Sequence, residues 1–223
     1  MIYLIKQTCC GLKVEFQILN IKTEKLLFKG QGTRLIKENT IKLFNSTSKE
    51  ILTLEYDLFK NLKNIIPLKY LFFKTSKKNY LINSISENKY IGRLGLIRKG
   101  LYYSYYSLIV NQKEFILYEI PLGKYGIKIP IFYNNIQIGL IEKSIYTENN
   151  KDEYYLYLSD DSFLSIISLF IIYYDNWEHG NQGEIYYGSK VEYVWTASKK
   201  IKSKYNPIWK ENFIKLYNEG ENN

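Results

Sequence analysis

A long apolar segment, Phe163 to Tyr174, constrains the fold of this chain more than any other feature. Two serines interrupt it, and aspartates border it on both sides. A bilayer-spanning helix needs about 20 apolar residues, so a shorter segment is typical of a buried element. Asp160, Asp161 or Ser162 can cap a helix, whereas the paired isoleucines within the segment would suit a strand. We predict a helix at about 161–175, and apolar residues on every face require that it be enclosed.

Most of residues 1–158 have the pattern of short strands separated by turn residues. Polar and apolar residues alternate from Lys13 to Ile18, which places Val14 and Phe16 on one face of a strand. Asn134-Asn135 lies between two apolar segments and predicts a tight hairpin, because asparagine tolerates positive φ. Similar segments recur about every 8–14 residues, which is typical of an all-β protein. The predicted fold is mainly β: a closed antiparallel barrel of about 12 strands around a central hydrophobic helix, plus a C-terminal helical appendage.

The composition changes near the end of the apolar segment, and this change predicts two parts of the chain. Residues 1–176 form the expected barrel with its buried helix, and residues 177–223 form a basic appendage. Pro207 can occupy the first turn of a final helix that Asn206 caps. The apolar positions of that helix, up to Tyr217, share one face, so we expect it to pack on the barrel or on a partner.

Residue types that carry catalysis or bind metals are scarce. A zinc site, a Ser/His/Asp triad or a Cys/His dyad would each depend on the single histidine, His179, which we expect to be a solvated loop residue. Two acidic pairs remain as candidates for acid–base or calcium chemistry: Asp152 with Glu153, and Asp160 with Asp161. Adjacent residues on a strand point to opposite faces, and acids at a helix start cap it, so structural roles are favoured. We predict a non-enzymatic protein with no catalytic residue, metal or cofactor, although chemistry by carboxylates alone stays open.

The N-terminal residues predict a cytoplasmic protein, peripheral at the membrane at most. The apolar start, Met1 to Lys6, is too short for a signal peptide. Cys9 and Cys10 are adjacent and cannot easily pair, so a disulfide framework is not expected. We expect no transmembrane segment, because no apolar segment reaches the length of a bilayer span.

The net charge of +9 favours a polyanionic partner. Lysines cluster beside aromatic residues in the appendage, and a second lysine cluster, Lys74, Lys77 and Lys78, is predicted to lie on a loop. The candidate ligand-binding residues are Lys199, Lys200, Lys202, Lys204, Trp195, Lys77 and Lys78. Ammonium groups beside aromatic rings suit an anionic membrane surface, and they also suit a nucleic-acid backbone with stacked bases. The alternative is an ordinary solvated face, since lysine is abundant throughout this chain.

The order of several short motifs resembles the tubby C-terminal-like superfamily, in the branch of LURP-one-related and phospholipid-scramblase-like proteins. The matching segments, spread over about residues 1–176, are Tyr3 to Gln7, Phe28 to Gly32, Ile91-Gly92, Ile138-Gly139 and Phe163 to Asp175. The resemblance implies that the last segment is a helix threading a barrel, and that surface lysines and arginines bind phosphoinositide headgroups. Scramblase relatives carry an acidic calcium-linked segment and a membrane-inserting end; neither is evident after Asp175, which argues against scramblase activity.

Taken together, these features predict a binding or scaffold protein that recognises anionic lipid headgroups or a protein partner through a basic surface. The alternative is a protein-interaction or toxin-neutralising (immunity-like) protein. Nucleic-acid binding is a third and less favoured reading, which a steep dependence on salt would support.

Overall fold

The computed structural model describes residues 1–33, 40–58, 61, 75–98, 103–178, 188–191, 194–196 and 198–219, with the backbone alone at 75–77. Within these ranges the strands are β1 (Ile2–Cys9), β2 (Lys13–Asn20), β3 (Leu26–Thr33), β4 (Thr40–Asn45), β5 (Glu50–Tyr56), β6 (Thr75–Ser84), β7 (Lys89–Arg98), β8 (Ser104–Val110), β9 (Lys113–Leu117), β10 (Ile120–Pro121), β11 (Ile127–Tyr133), β12 (Ile136–Lys143), β13 (Tyr146–Glu148), β14 (Glu153–Leu158) and β15 (Ser189–Val191). The helices are α1 (Leu164–Glu178), α2 (Lys199–Lys202) and α3 (Pro207–Glu219), with short 3-10 turns at Gly123–Tyr125 and Asp161–Phe163.

Twelve of these strands close into an antiparallel barrel. The order around the barrel is β11-β12-β14-β1-β2-β3-β4-β5-β6-β7-β8-β9, and β9 pairs back onto β11 through Ile131 and Leu117. β10 adds a short pairing to β11, while β13 and β15 form a separate two-stranded ribbon. The predicted closed barrel of about twelve strands is confirmed.

The apolar segment forms the helix α1, as predicted, and the strand alternative is wrong. Asp160 caps the preceding 3-10 turn by accepting a hydrogen bond of 2.9 Å from the Ser162 amide. Isoleucines, aromatic residues and Ser168 are buried on all faces of α1, which continues to Glu178. Enclosure by the barrel explains how so apolar a helix is hidden from water. In the described part of the chain, we find no helix with the length and apolarity that a membrane crossing demands.

Glycine lets α1 approach the barrel wall closely. On β3, a Cβ atom at Gly30 would collide with the side chain of Ile172, and one at Gly32 would press on Val14. α1 therefore packs directly on the backbone of β3 at these positions, where a larger residue would hold the helix away.

The two ends of the barrel differ in their connections. Tight turns join the hairpins at one end, here called the turn end, and they include Asn134-Asn135, both with positive φ. The predicted hairpin at this site is confirmed. Longer connections lie at the other end, here called the loop end, where α1 finishes at Glu178.

The C-terminal helix α3 packs on the outside of the barrel. Asn206 caps it by accepting a hydrogen bond of 3.0 Å from the Ile208 amide. Trp209 Nε1 donates to the Gln137 carbonyl at 3.2 Å, and the Phe213 ring contacts Tyr157 at 6.0 Å between centroids. No side chain of α3 is fully buried, so it covers the barrel surface without entering the main core.

Candidate anion-binding surface

The short helix α2 presents lysines to solvent because a single apolar residue holds it on the barrel. Ser198 caps α2 by accepting a hydrogen bond of 3.3 Å from the Ile201 amide. Ile201 is buried against Tyr118 and Ile120 on the outer wall. With Ile201 facing inward, Lys199, Lys200 and Lys202 lie on the exposed faces of α2.

Two of the predicted lysines lie over tyrosine rings. Tyr103, Tyr105 and Tyr118 form an aromatic cluster on the outer wall with centroids 5.7 to 6.3 Å apart. Lys200 Nζ is 4.5 Å from the Tyr103 ring centroid, and Lys204 Nζ is 5.4 Å from that of Tyr118. A cation over a ring face is attracted by the ring quadrupole and keeps its full charge.

The tyrosine hydroxyls do not neutralise these lysines. Burial raises the pKa of Tyr118, so its hydroxyl, which lies 3.4 Å from the Tyr103 hydroxyl, stays neutral. Among the residues that the structure describes, none of the four predicted α2-region lysines forms an ion pair with a carboxylate. The charge of this surface is therefore available to an external anion.

Beside α2, Trp195 is fixed in an exposed position at the loop end. Backbone hydrogen bonds from Gly123 to Val194 and from Thr196 to Pro121 hold the segment against the barrel. The Trp195 ring covers Gly123, whose φ of +61° and contact with the ring leave no room for a Cβ atom. The Trp195 side chain is nevertheless 68% exposed.

Tyr125, also near Gly123, is 65% exposed, and Lys124 Nζ lies 5.2 Å from its ring centroid. We call Lys124, Tyr125, Trp195, Lys204 and the lysines of α2 the Trp195 patch. It combines exposed aromatic rings with ammonium groups on one stretch of the barrel exterior.

The second predicted lysine cluster has a different environment, and its predicted loop is wrong, because Lys77 and Lys78 belong to β6, which pairs with β7. Lys78 Nζ is 2.6 Å from Glu178 Oε1 and 5.4 Å from the Trp177 ring centroid, so it pairs with the end of α1. The structure therefore gives Lys78 an internal partner and does not add it to the Trp195 patch. Lys74, the side chain of Lys77 and the whole of His179 lie outside the described residues.

A cluster of titratable groups surrounds Lys78 at the loop end, and no motif in the sequence predicted it. Burial raises the pKa of Glu119 to about 7; a hydrogen bond from Tyr174 opposes this shift, and the Glu178 charge adds to it. Tyr106 donates to Glu178 Oε1 at 3.3 Å. These groups come from separate elements, so short sequence motifs could not reveal their proximity.

A second polar cluster lies inside the barrel, and we call it the inner polar cluster. Lys143 Nζ lies 2.5 Å from Asp152 Oδ1, and Tyr154 donates to Asp175 Oδ1 at 2.8 Å. The Asp152 amide donates to Gln7 Oε1 at 3.0 Å. Burial, followed by the neighbouring Asp152, raises the pKa of Asp175 well above its ordinary value.

The predicted structural roles of the acidic pairs are correct in part. Asp160 caps the helix start, and Glu153 faces outward to an ion pair with Lys6 at 3.2 Å. Asp152, in contrast, is buried in the inner polar cluster. Strand alternation from the inward-facing Ile141 would place Lys143 inside the barrel, and this signal could have indicated a buried charge there, without naming its partner.

A groove of about 530 Å³ separates α3 from the barrel next to the Trp195 patch, and Tyr125 lines both. Its polar centre is Glu142, which accepts hydrogen bonds from Lys128 at 2.9 Å and Lys210 at 2.7 Å. Burial alone would raise the pKa of Glu142, but the bonds from Lys210 and Lys128 lower it overall. These lysines are thus already paired, unlike those of α2.

A scan against protein-family models and searches of curated proteins and of solved structures each found no match to this chain. The resemblance to the tubby C-terminal-like superfamily therefore stays a prediction from the sequence motifs.

Proposed function

We propose that this protein is a non-enzymatic binding module that recognises anionic lipid headgroups at a membrane surface through the Trp195 patch. The observation that carries this proposal is the exposure of the Trp195 ring beside lysines that have no carboxylate partner among the described residues. Tryptophan and tyrosine favour the headgroup region of a bilayer, where an apolar ring meets a polar environment. Lysines near an anionic membrane contribute about 1 kcal/mol each.

The packing of the patch supports binding over simple solvation. A solvated lysine-rich face would explain the positive charge of the patch. It would not explain why an exposed tryptophan ring, that of Trp195, packs against Gly123 beside these lysines. Contacts with Tyr103 and Tyr118 also restrict Lys200 and Lys204 before any ligand arrives. A side chain ordered in advance loses less conformational entropy on binding, so the patch is suited to hold a surface of headgroup phosphates.

Vesicle flotation tests the proposal with phosphatidylcholine vesicles, alone and with added phosphatidylserine or phosphatidylinositol phosphates. We expect flotation with the anionic vesicles only, and weaker flotation in high salt because the Debye length falls from about 10 Å at 0.1 M to about 3 Å at 1 M. Trp195→Ala and the double variant Lys199→Glu/Lys202→Glu should each reduce flotation. Failure of the unmodified protein to float with any anionic vesicle would refute the lipid assignment.

A matched control uses the turn end of the barrel. Lys25 and Lys49 are exposed there, so Lys25→Glu/Lys49→Glu makes the same change in net charge far from the Trp195 patch. Equal loss of flotation in both double variants would indicate attraction by net charge alone. Competition by a single-stranded oligonucleotide, or capture of a protein partner with no vesicle binding, would favour the alternative functions instead.

A further inference from the structure

Lys143 and Asp152 form an ion pair that is almost completely sealed from solvent. Their side chains are 4% and 3% exposed, with Nζ and Oδ1 2.5 Å apart. By comparison, the pair of Lys6 with Glu153, one residue further along the chain, is open to water. Desolvation of two opposite charges is costly, so each of these groups depends on the other inside the low-dielectric barrel.

A third group completes the arrangement. Asp175 on α1 lies close enough to Asp152 for the Asp152 charge to raise the pKa of Asp175, and its Oδ2 atom is buried with no hydrogen-bond partner among the described residues. A carboxyl group in that position is satisfied by carrying a proton of its own and donating it to Asp152. The Tyr154 hydroxyl fixes Asp175 through its other oxygen, and the Tyr154 ring lies 5.8 Å from Lys143 Nζ.

We propose that Lys143 and Asp152 form an intramolecular isopeptide bond, with Asp175 as the proton-transfer group. An amine, a carboxyl carbon and a neighbouring carboxylic acid are the groups that amide formation requires, and the barrel buries all three together. The bond would join the end of β12 to the residue before β14, and it would close the connection that contains β13 into a covalent loop.

The reaction balances without any other reagent. A proton first passes from the Lys143 ammonium to the Asp152 carboxylate along their contact, which gives a neutral amine and a neutral acid. The amine lone pair then attacks Cγ of Asp152, so that a C–N bond forms and the carbonyl oxygen becomes an oxyanion. Asp175 donates its proton to the departing hydroxyl as the C–O bond breaks, and it receives the proton that nitrogen loses. The products are one amide and one water molecule, and Asp175 is an acid again.

Proximity explains why the condensation would proceed here although it is unfavourable in bulk water. Groups held in contact reach effective concentrations of about 10⁵ M or more, and no solvent reorganisation is needed. Exclusion of water also slows the reverse hydrolysis, and the neutral amide removes the cost of two buried charges.

Intact-mass spectrometry of the denatured full chain tests the proposal directly. We expect a mass about 18 Da, one water, below that of the linear sequence. Trypsin cleaves after Lys151 and so separates residues 143 and 152 of an unlinked chain; a crosslinked chain would instead yield one branched peptide that joins them. A full linear mass after prolonged incubation of the folded protein, or a water loss mapped to other residues, would overturn the proposal.

Variants assign the roles of the three groups. Lys143→Arg and Asp152→Ala should each restore the linear mass. Asp175→Asn keeps the shape of the side chain but cannot carry the acid proton, so we expect an unlinked or slowly linking chain that retains the native circular dichroism spectrum. Complete crosslinking in Asp175→Asn would overturn the role of Asp175. Because the unmodified protein decides whether the bond exists, a variant that fails to fold does not weaken the test.

Discussion

The inner and outer faces of the same barrel wall place lysine in opposite environments. Inside, Lys143 is buried against Asp152, with a carboxyl group and a tyrosine nearby. Outside, Lys200 and Lys204 lie on tyrosine rings and face solvent. Desolvation makes the inner charge dependent on its partner, whereas water stabilises the outer charges without one. The inner lysine therefore contributes to the integrity of the fold, and the outer lysines are free to meet a ligand.

The largest expected effect comes from removing the partner of the buried lysine. Asp152→Ala leaves Lys143 with an uncompensated charge inside the barrel and also removes the proposed isopeptide bond, so we expect a loss of at least about 3–5 kcal/mol in the free energy of unfolding. Urea unfolding followed by circular dichroism measures it. Glu153→Ala is the matched control at the next residue, where the exposed pair with Lys6 should contribute less than about 1 kcal/mol. Equal losses in the two variants would contradict the distinction between inner and outer lysines.

The second-largest expected effect comes from a substitution that tests how closely the inner face of the barrel wall contacts α1. In Gly30→Ala, the new Cβ atom collides with the Ile172 side chain, and overpacking of this kind costs about 1–3 kcal/mol. Ile172→Val removes the methyl group that the new atom meets first. The double variant should therefore lose less stability in urea unfolding than the sum of the two single variants. Strict additivity would show that the helix does not press on the wall at this point.

The pH dependence of stability tests the cluster at the loop end. The pKa of Glu119 is raised from 4.5 to about 7 in the folded state, so the native protein binds more protons than the unfolded chain between those values. The free energy of unfolding must then fall as the pH rises through this interval, and the protonated form is fully favoured below it.

Glu119→Gln retains an acceptor for the Tyr174 hydroxyl but cannot ionise. We expect it to match the unmodified protein near pH 4 and to exceed it by about 1–2 kcal/mol near pH 8, a value that allows for partial exposure. Thermal unfolding across this pH range measures the difference. A stability difference that does not change with pH would show that Glu119 titrates as an ordinary surface acid.

The architecture was predictable from the sequence because its signals are local. The apolar segment from Phe163 and its cap at Asp160 are contiguous, and the asparagine turn at 134–135 identifies its own hairpin. The clustering of the α2 lysines was also visible, because they are close in sequence, and their role in binding stays a prediction. The clusters were not predictable by the same means: Glu119 meets Tyr174 only after the barrel closes.

The inner polar cluster shows which of its residues the alternation of inward and outward side chains can predict. Alternation along β12 assigns Lys143 to the inside, but it gives no partner for the charge. Its partner is Asp152, which follows the irregular connection between β12 and β14. The alternation of inward and outward residues does not continue through that connection, so it cannot predict which way Asp152 points. Asp175 was visible as the end of the apolar segment, and its contact with Asp152 depends on the rotation of α1 within the barrel.

The smallest expected effect on stability belongs to the outer face. Lys199 and Lys202 are exposed on α2 and have no carboxylate partner among the described residues, so their replacement by glutamate removes no native contact that the structure records. We expect Lys199→Glu/Lys202→Glu to change the free energy of unfolding by less than about 0.5 kcal/mol, while flotation with anionic vesicles falls. A large loss of stability would mean that these lysines have a structural role, and the decrease in vesicle binding could then no longer be attributed to the Trp195 patch. If the double variant keeps its stability but no longer floats with anionic vesicles, the two faces of the barrel wall have different functions. The inner face then contributes to folding, and the outer face to binding.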